Sequence, residues 1–287
     1  MSTILVTGAT GFIGSRLAAR LGNRHNVVTI SRTGGAEADG THVIGNFTSA
    51  EALRQLDGVP IDAVIHLAAE VGGCTEEAGL ATNVGGTRTL LRYCIERGCR
   101  RYVLASSIAA VGSLTRDFLP REVPIPDDHP CDAIDPYGLS KALMEEVAYY
   151  FQRREPDLSI DLFRIGAVLP DDAPAVEVEM LDTMPFPFID LAAISVGDVV
   201  TALERSIEQS PKPGIRRMNL VADCARTPLS VPETLERLFG SRAASLDLSY
   251  YAKPGNDAAA LYTTDRMTRE LGFSPAVDVR TMTAASG

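Results

Sequence analysis

A tyrosine and a lysine stand four residues apart in the segment Pro136-Tyr137-Gly138-Leu139-Ser140-Lys141. Residues i and i+4 share one face of a helix, so the lysine ammonium would lie beside the phenol. A neighbouring positive charge favours the phenolate and lowers the tyrosine pKa from its usual value of about 10. The pair would make Tyr137 a proton donor and acceptor near neutral pH, although many helices carry the same pair without catalytic use.

Two serines, Ser106 and Ser107, follow the apolar run 101–105, which predicts a buried strand. A serine hydroxyl at the carboxyl end of such a strand can hydrogen-bond a substrate oxygen that gains or loses a proton. Serines in this place also simply begin loops, so their chemical role depends on the rest of the chain.

A glycine-rich turn, Thr7-Gly8-Ala9-Thr10-Gly11-Phe12-Ile13-Gly14, follows the apolar run 4–6 and opens an amphipathic segment. In a strand–turn–helix unit, Gly8 allows the sharp turn, Gly11 lets a pyrophosphate approach the backbone, and Gly14 lets the helix pack closely. The helix dipole and the first helical N–H groups favour an anion at this turn. The turn therefore predicts a dinucleotide site in preference to a purely structural role.

Alternating strands and helices must position these residues. Strands are predicted at 4–6, 27–31, 42–45, 63–67, 101–105, 160–164 and 217–220. Helices are predicted at 12–21, 49–56, 80–97, 136–153, 196–208, 231–239 and 265–271. This alternation indicates an α/β fold with a Rossmann-like, doubly wound parallel sheet that binds ligands at the carboxyl ends of its strands.

The pattern weakens after Arg164, and the proline-rich, acidic stretch 169–190 is predicted to be a loop. We expect a dinucleotide-binding domain from residues 1–164 with about 195–221, and a small C-terminal substrate-binding lobe from 165–194 and 222–287. His66 ends a predicted buried strand and is expected to be packed rather than catalytic.

Composition narrows the class of protein. The 287 residues carry a formal net charge of −10, and no basic run stands out, so nucleic acid and anionic membranes are not expected partners. The five cysteines form no CxxC pair, and no metal-binding constellation is visible. An early first strand leaves no room for a signal peptide, and no apolar run would span a bilayer. These features predict a soluble cytoplasmic protein.

Together, the turn, the serine segment and the tyrosine–lysine pair resemble the extended short-chain dehydrogenase/reductases, also called the NAD-dependent epimerase/dehydratase family. The matching segments are Thr7 to Gly14, His66 to Ala69, Asn83 with Gly86-Thr87, Ser107 to Gly112, Tyr137 with Lys141, Val196 with Asp198, and Asp265 to Pro275. The chain departs from the family at Val111, where many members have tyrosine, and at Met267-Thr268, where a lysine is usual.

The resemblance implies an NAD(P)-dependent dehydrogenase/reductase or epimerase with three catalytic residues. Tyr137 would exchange the proton on a substrate hydroxyl or carbonyl, Lys141 would lower its pKa and hold the nicotinamide ribose, and Ser107 would orient the substrate oxygen. The cofactor contacts expected from the turn and the resemblance are Gly8, Thr10, Gly11, Phe12, Ile13, Gly14, Ser31, Arg32, Asn46, Phe47, Leu67, Ala68, Ala69, Asn83, Tyr137, Lys141 and Ile165. Family members commonly pair the helices at 80–97 and 136–153, which implies a homodimer.

The preference for NADP or NAD is inferred from the residues at the end of the second predicted strand, which here are Ser31-Arg32. A carboxylate there would bind the ribose 2′-OH and repel a 2′-phosphate, but none is present. Arg32 could pair with a 2′-phosphate bidentately, which favours NADP. The alternative is an arginine that stacks on the adenine of NAD.

The reaction is narrowed by the residues after Ser107. Family dehydratases have an aspartate and a glutamate there, whereas this chain has Ile108-Ala109, which leaves dehydrogenase/reductase chemistry or epimerisation. The acidic stretch 169–190 contains no arginine or lysine. Its negative charges would repel a diphosphate, so it is not expected to bind one. We therefore expect a small sugar-like, alcohol or ketone substrate.

Two alternatives stay open. A nucleotide-sugar epimerase similar to UDP-glucose 4-epimerase, with tightly bound NAD, would need diphosphate contacts from elsewhere, such as Arg216, Arg217 or Arg226. A non-catalytic dinucleotide-binding regulator would be expected to lose the tyrosine or the lysine, and this chain keeps both.

Overall fold

The computed structural model of the chain describes residues 1–33 and 41–282. Its strands are β1 Thr3–Thr7, β2 Asn26–Ser31, β3 Thr41–Ile44, β4 Ala63–His66, β5 Arg101–Ser107, β6 Ser159–Ile165, β7 Ala167–Leu169, β8 Ala193–Ser195 and β9 Gly214–Leu220. Its α-helices are α1 Phe12–Gly22, α2 Ala50–Leu53, α3 Glu76–Gly79, α4 Thr87–Glu96, α5 Pro136–Arg154, α6 Val178–Leu181, α7 Pro187–Asp190, α8 Val196–Glu208, α9 Val231–Phe239 and α10 Asp265–Leu271. A π-helical segment covers Leu80–Gly86, and short 3-10 helices cover Arg54–Leu56, Ile108–Val111 and Gly240–Ser245.

Seven strands form one sheet in the order β3-β2-β1-β4-β5-β6-β9, and β7 pairs with β8 in a separate parallel pair. The pairs β3/β2, β2/β1, β1/β4 and β4/β5 are parallel. After β3 the chain returns to the other side of β1, so the strand order reverses between β1 and β4. Parallel doubly wound sheets bind ligands at such a switch point. The predicted α/β, Rossmann-like fold is confirmed.

The helix predicted at 80–97 is different in the structure. Helical structure already begins at Glu76, because the Thr75 hydroxyl caps α3 by accepting a hydrogen bond from the backbone N–H of Ala78. The chain then widens into the π-helical segment before α4. Such segments are rare and are frequent at functional sites.

The predicted loop at 169–190 was also wrong in part, because it contains α6 and α7. Each of these helices is a single turn, too short to show a helical period in the sequence. Leu181 in α6 and Phe188 in α7 are buried, so tertiary packing and not local propensity stabilises these turns.

The chain divides into two compact units. The first unit contains Met1–Ser106, Leu139–Phe163 and Val200–Arg216, and its core packs residues of the sheet against α4 and α5, including Leu5, Val64, Leu91 and Phe151. The second unit contains Ser107–Gly138, Arg164–Val199 and the chain from Arg217 onward, with a core that includes Ile125, Phe188, Leu235 and Tyr262. Among the described residues, no helix has the length and apolar character needed to cross a membrane.

Candidate functional site

A cavity of about 430 Å³ lies in the first unit at the switch point between β1 and β4. The residues that line it are Gly8, Thr10, Gly11, Phe12, Ile13, Gly14, Ile30, Ser31, Arg32, Gly45, Asn46, Phe47, Leu67, Ala68, Ala69, Glu70, Val71 and Thr82. Most of the predicted cofactor contacts belong to this set. Ile30, Gly45, Glu70, Val71 and Thr82 were not predicted, although all of them except Val71 neighbour a predicted residue.

The glycine turn forms one wall of the cavity through its backbone. Gly8 has a φ of +74°, and a Cβ there would lie 2.7 Å from the backbone nitrogen of Ala68. A Cβ at Gly14 would lie 2.1 Å from the carbonyl oxygen of Gly8, so α1 packs directly on the turn. Gly11 is the N-cap of α1 and provides no side-chain cap, which leaves the first helical N–H groups for a ligand. This cradle fits a pyrophosphate.

Polar residues that follow β2 and β3 form another part of the cavity. Arg32 is exposed, and the Ser31 hydroxyl donates a hydrogen bond to the carbonyl oxygen of Thr33. The side-chain oxygen of Asn46 accepts a hydrogen bond from the Thr48 backbone N–H at 3.1 Å. The predicted cofactor contact of Asn46 would therefore use its NH₂ group or the second lone pair of this oxygen. The sequence also predicts a glycine-rich loop from Thr33 to Gly40, and residues 34–40 are not among those that the structure describes.

His66 ends β4 behind the cavity and is 2% exposed. Its Nδ1 lies 2.7 Å from the Thr7 hydroxyl and its Nε2 lies 2.9 Å from the Thr87 hydroxyl. The Thr87 hydroxyl donates its proton to the Asn83 carbonyl, so in its bond with His66 it must accept from Nε2–H. Because a neutral imidazole carries only one N–H, Nδ1 is the acceptor and the Thr7 hydroxyl donates to it. Burial and the charge of Lys141 lower the pKa of His66 to about 3, so the ring stays neutral and structural.

Asn83 lies in the π-helical segment and does not line the cavity. Its side-chain oxygen accepts from the Glu70 backbone N–H at 2.8 Å, and its amide donates to the Glu70 carbonyl at 3.0 Å and to the Ser140 hydroxyl at 2.8 Å. Asn83 therefore connects a segment of the cavity wall to the residue that precedes Lys141. Cofactor contacts of Asn83, and of Ile165 at the buried end of β6, stay predictions.

Tyr137 and Lys141 lie on the first two turns of α5, which begins at Pro136. The Asp135 carboxylate caps this helix by accepting a hydrogen bond from the Gly138 backbone N–H at 2.7 Å. A Cβ at Gly138 would lie 2.5 Å from the carbonyl oxygen of Ala109, so this end of α5 packs tightly against the segment that follows Ser107. Tyr137 is half-buried.

Lys141 is 3% exposed, and its ammonium donates a hydrogen bond to the carbonyl oxygen of Ala105 at 2.8 Å. Burial lowers the pKa of Lys141 to about 8, while the negative charge of Glu145 opposes this shift. Sequence reasoning missed Glu145, which is 1% exposed and accepts a hydrogen bond from the Ser106 hydroxyl at 2.7 Å. Its position four residues after Lys141 was the available signal.

Ser107 ends β5 and is 8% exposed. Its hydroxyl oxygen accepts a hydrogen bond from the Ala109 backbone N–H at 3.1 Å and thereby caps the following 3-10 turn. Accepting this bond leaves the hydroxyl proton for another acceptor. Within the described chain, no group of three or more His, Cys, Asp or Glu side chains could hold a metal ion.

The acidic segment 169–190 lies in the second unit, and arginines from other parts of that unit donate hydrogen bonds to it. Arg237 donates to both carboxylate oxygens of Asp182, at 2.8 and 2.6 Å. Arg226 donates to the Pro174 carbonyl at 2.7 Å, and Arg116 donates to the Met184 carbonyl at 2.7 Å.

The three arginines proposed as diphosphate contacts have protein partners too. Arg216 donates to Asp161 at 2.5 Å, Arg217 donates to the Asp127 carbonyl at 2.9 Å, and Arg226 is bonded as described above. Any diphosphate would therefore have to compete with these contacts or use their remaining N–H groups.

The switch-point cavity and the glycine cradle are those of a dinucleotide-binding α/β protein. A protein-family model for the NAD-dependent epimerase/dehydratase family matches residues 4–169. The chain belongs to this family, which confirms the resemblance found in the sequence and the prediction of an NAD(P)-dependent dehydrogenase/reductase or epimerase.

Known proteins similar to this chain are epimerases and dehydrogenases. A UDP-glucose 4-epimerase from Cyamopsis tetragonoloba is 28% identical over 78% of this chain and 69% of its own length. UDP-glucose 4-epimerase 3 from Oryza sativa subsp. japonica is 25% identical over 98% of this chain and 87% of its own length. The structure of a UDP-glucose 4-epimerase from Bifidobacterium longum with NAD+ and UDP has a TM-score of 0.71 at 20% identity, covering 98% of this chain and 96% of that one. At this identity the structural likeness establishes the fold.

Proposed function

We propose that the protein is an NAD(P)-dependent oxidoreductase that acts on a hydroxyl- or carbonyl-bearing carbon of a small sugar-like, alcohol or ketone substrate. The observation that carries this proposal is the buried Lys141 one helical turn after Tyr137, beside a strand whose end carries Ser107. When bound, the nicotinamide supplies the hydride or accepts it. The side chains of this protein supply orientation and proton transfer.

Tyr137 is the proposed acid/base. With a pKa of about 8, Lys141 carries its charge at neutral pH and favours the phenolate form of the neighbouring tyrosine. During oxidation of an alcohol, the phenolate would accept the hydroxyl proton, and during reduction of a ketone the phenol would donate one. Ser107 would donate its remaining hydroxyl proton to the same substrate oxygen and fix its position.

We propose NADP as the preferred cofactor. Of the described residues that line the cavity after β2 and β3, none is acidic, and Arg32 is exposed at its edge. A guanidinium in this place favours a 2′-phosphate, whereas an acidic residue would repel it. Gly8, Gly11 and Gly14 would hold the pyrophosphate, and Leu67, Ala68 and Ala69 would line the path towards the nicotinamide.

The acidic segment supports a substrate without a diphosphate. Asp182 is paired with Arg237. Arg116 and Arg226 each donate to a carbonyl oxygen of this segment, so a diphosphate would have to compete with these contacts or use the remaining N–H groups. A neutral substrate, or one with a single carboxylate, needs fewer positively charged groups around it than a diphosphate does.

A nucleotide-sugar 4-epimerase is the second candidate, and two observations favour it. The curated relatives with the stated identities are UDP-glucose 4-epimerases. In addition, Arg226 has a buried Nε that has no hydrogen-bond partner among the described residues, and a ligand oxygen would satisfy it. An epimerase would oxidise and reduce the same carbon, with NAD tightly held throughout the cycle.

One assay separates the two functions. Sugars, sugar acids, small alcohols and ketones are screened with NADP and NAD in parallel, while UDP-glucose is incubated with the protein and its sugar product identified. We expect a net change in the absorbance of the reduced nicotinamide with a small substrate and no formation of UDP-galactose. UDP-galactose formation with flat cofactor absorbance would establish the epimerase instead.

We also propose a homodimer through the helices predicted at 80–97 and 136–153. Leu143 and Tyr150 on α5 are 37% and 40% exposed, whereas Met144 and Phe151 are buried in the protein itself. Light scattering is expected to give twice the chain mass of 30.7 kDa, and a mass equal to one chain would refute the proposal.

A further inference from the structure

Glu145 is a buried carboxylate with no place in the proton transfer described above. It lies one helical turn after Lys141 on α5, and only 1% of it is exposed. Burying a carboxylate is costly unless hydrogen bonds and an opposite charge compensate it. The Ser106 hydroxyl donates a hydrogen bond of 2.7 Å to its Oε1, which supplies one such partner.

Two successive turns of α5 bind two successive residues of β5. Lys141 donates to the Ala105 carbonyl at 2.8 Å, and Glu145 accepts from the Ser106 hydroxyl. The next residue of the strand is Ser107, and the turn of the helix before Lys141 carries Tyr137. Tyr137, Lys141 and Glu145 thus follow at i, i+4 and i+8 along one side of the helix.

Several titratable groups in the described part of the chain lie around Lys141. On its own helix these are Tyr137 and Glu145, the segment after β4 brings Cys74, and β4 itself brings His66. Glu145 contributes the larger opposing charge and Cys74 the smaller, both against the effect of burial. His66 is held neutral, so it offers no negative charge. Glu145 is therefore the principal counter-charge of the buried ammonium.

We propose that Glu145 is a positioning residue that keeps Lys141 charged and fixes the end of β5 against α5, so that Tyr137 exchanges protons near neutral pH. The inference rests on the function proposed above for Tyr137. It adds a residue that reaches the proton-transfer group only through Lys141 and Ser106.

The chain has three lysines, Lys141, Lys212 and Lys253, which makes a direct measurement possible. Protein labelled with ¹³C at the lysine ε-carbons gives one resonance for each, assigned with K212R and K253R variants and titrated by NMR. The wild-type Lys141 resonance should titrate near pH 8. In Glu145→Gln it should titrate about one to two pH units lower still, because the counter-charge is gone.

Glu146→Gln is the matched control, because Glu146 is the next residue and is exposed. It changes the net charge equally and should leave the Lys141 titration in place. An unchanged Lys141 titration in Glu145→Gln, or an equal shift in Glu146→Gln, would overturn the proposal. If Glu145→Gln does not fold, Glu145→Asp is used, since it keeps the charge. Lys141 should then titrate within about half a pH unit of the wild type, and a larger fall would count against Glu145.

A kinetic readout follows once the screen has found a substrate. In the proposed mechanism the rate of alcohol oxidation depends on the Tyr137 phenolate, which a charged Lys141 favours. The rising limb of the pH–rate profile should therefore move to higher pH in Glu145→Gln and stay in place in Glu146→Gln. The NMR titration needs no substrate. A failed screen therefore counts against the proposed function alone, while an unmoved Lys141 titration counts against the role of Glu145 alone.

Discussion

The cavity beside the glycine turn and the acidic segment 169–190 differ in how their contacts are made. The cavity wall is largely backbone, with a turn that tolerates no Cβ at Gly14 and an uncapped helix start. The acidic segment depends on side chains from distant parts of its unit, such as Arg237 on Asp182 and Arg226 on the Pro174 carbonyl. A common dinucleotide can be held by a fixed backbone, whereas a particular substrate is selected by side chains that vary.

The largest expected effect is at Tyr137. Tyr137→Phe removes the hydroxyl that is proposed to exchange the proton, and turnover should fall by about 10²- to 10⁴-fold. Binding of NADPH, followed by its fluorescence, should stay at the wild-type value. Tyr250→Phe, at an exposed tyrosine outside this helix, is the control and should keep its activity. If Tyr137→Phe retains turnover, the proposed acid/base is wrong.

A smaller effect is expected in the glycine cradle. A Cβ at Gly14 would lie 2.1 Å from the Gly8 carbonyl oxygen, so Gly14→Ala must displace α1 or the turn. We expect NADPH to bind about 10- to 100-fold more weakly, together with a loss of stability. Gly22→Ala at the end of the same helix meets no atom within 4 Å and should bind normally. Equal binding in both variants would show that the turn is not the pyrophosphate site.

Arg32 tests the cofactor preference. Removing a charged partner of the 2′-phosphate in Arg32→Ala should weaken NADP binding about tenfold and leave NAD binding nearly unchanged. Arg54→Ala, an exposed arginine outside the cavity, controls for the loss of one positive charge. Equal losses for both dinucleotides would favour an arginine that stacks on adenine.

The smallest effect is expected in the acidic segment. Asp182 and Arg237 form an ion pair whose side chains are 55% and 38% exposed, and such pairs are screened by water and salt. Asp182→Asn should therefore leave the urea unfolding midpoint close to that of the wild type, with any difference vanishing at high salt. If Asp182→Asn lowered the urea unfolding midpoint as much as Gly14→Ala, this segment would tolerate substitution as poorly as the glycine turn.

The parts of the fold and site that could be predicted from the sequence are those that depend on residues close together in the chain. The glycine turn and the Tyr137–Lys141 pair are local spacings, and strands β1 to β6 show as apolar runs. The single-turn helices α6 and α7 could not be predicted, because four residues carry no period. The pairing of Arg237 with Asp182 joins residues 55 positions apart and leaves no local pattern.

Glu145 was overlooked for a different reason. Its spacing from Lys141 was visible in the sequence, but a glutamate on a long helix usually faces solvent. Only its burial and its bond to Ser106 distinguish it from Glu146. Burial depends on which side of the helix meets the sheet, and that is decided by the packing of the whole unit.

The proposed function depends on net hydride transfer between the nicotinamide and a small substrate. The most direct test incubates the wild-type protein with the ketone identified by the screen and with NADPH carrying deuterium at the transferable C4 position. We predict one deuterium on the carbinol carbon of the product for each NADPH oxidised. Epimerisation of UDP-glucose without NADPH consumption, and no deuterium in any alcohol product, would contradict the account.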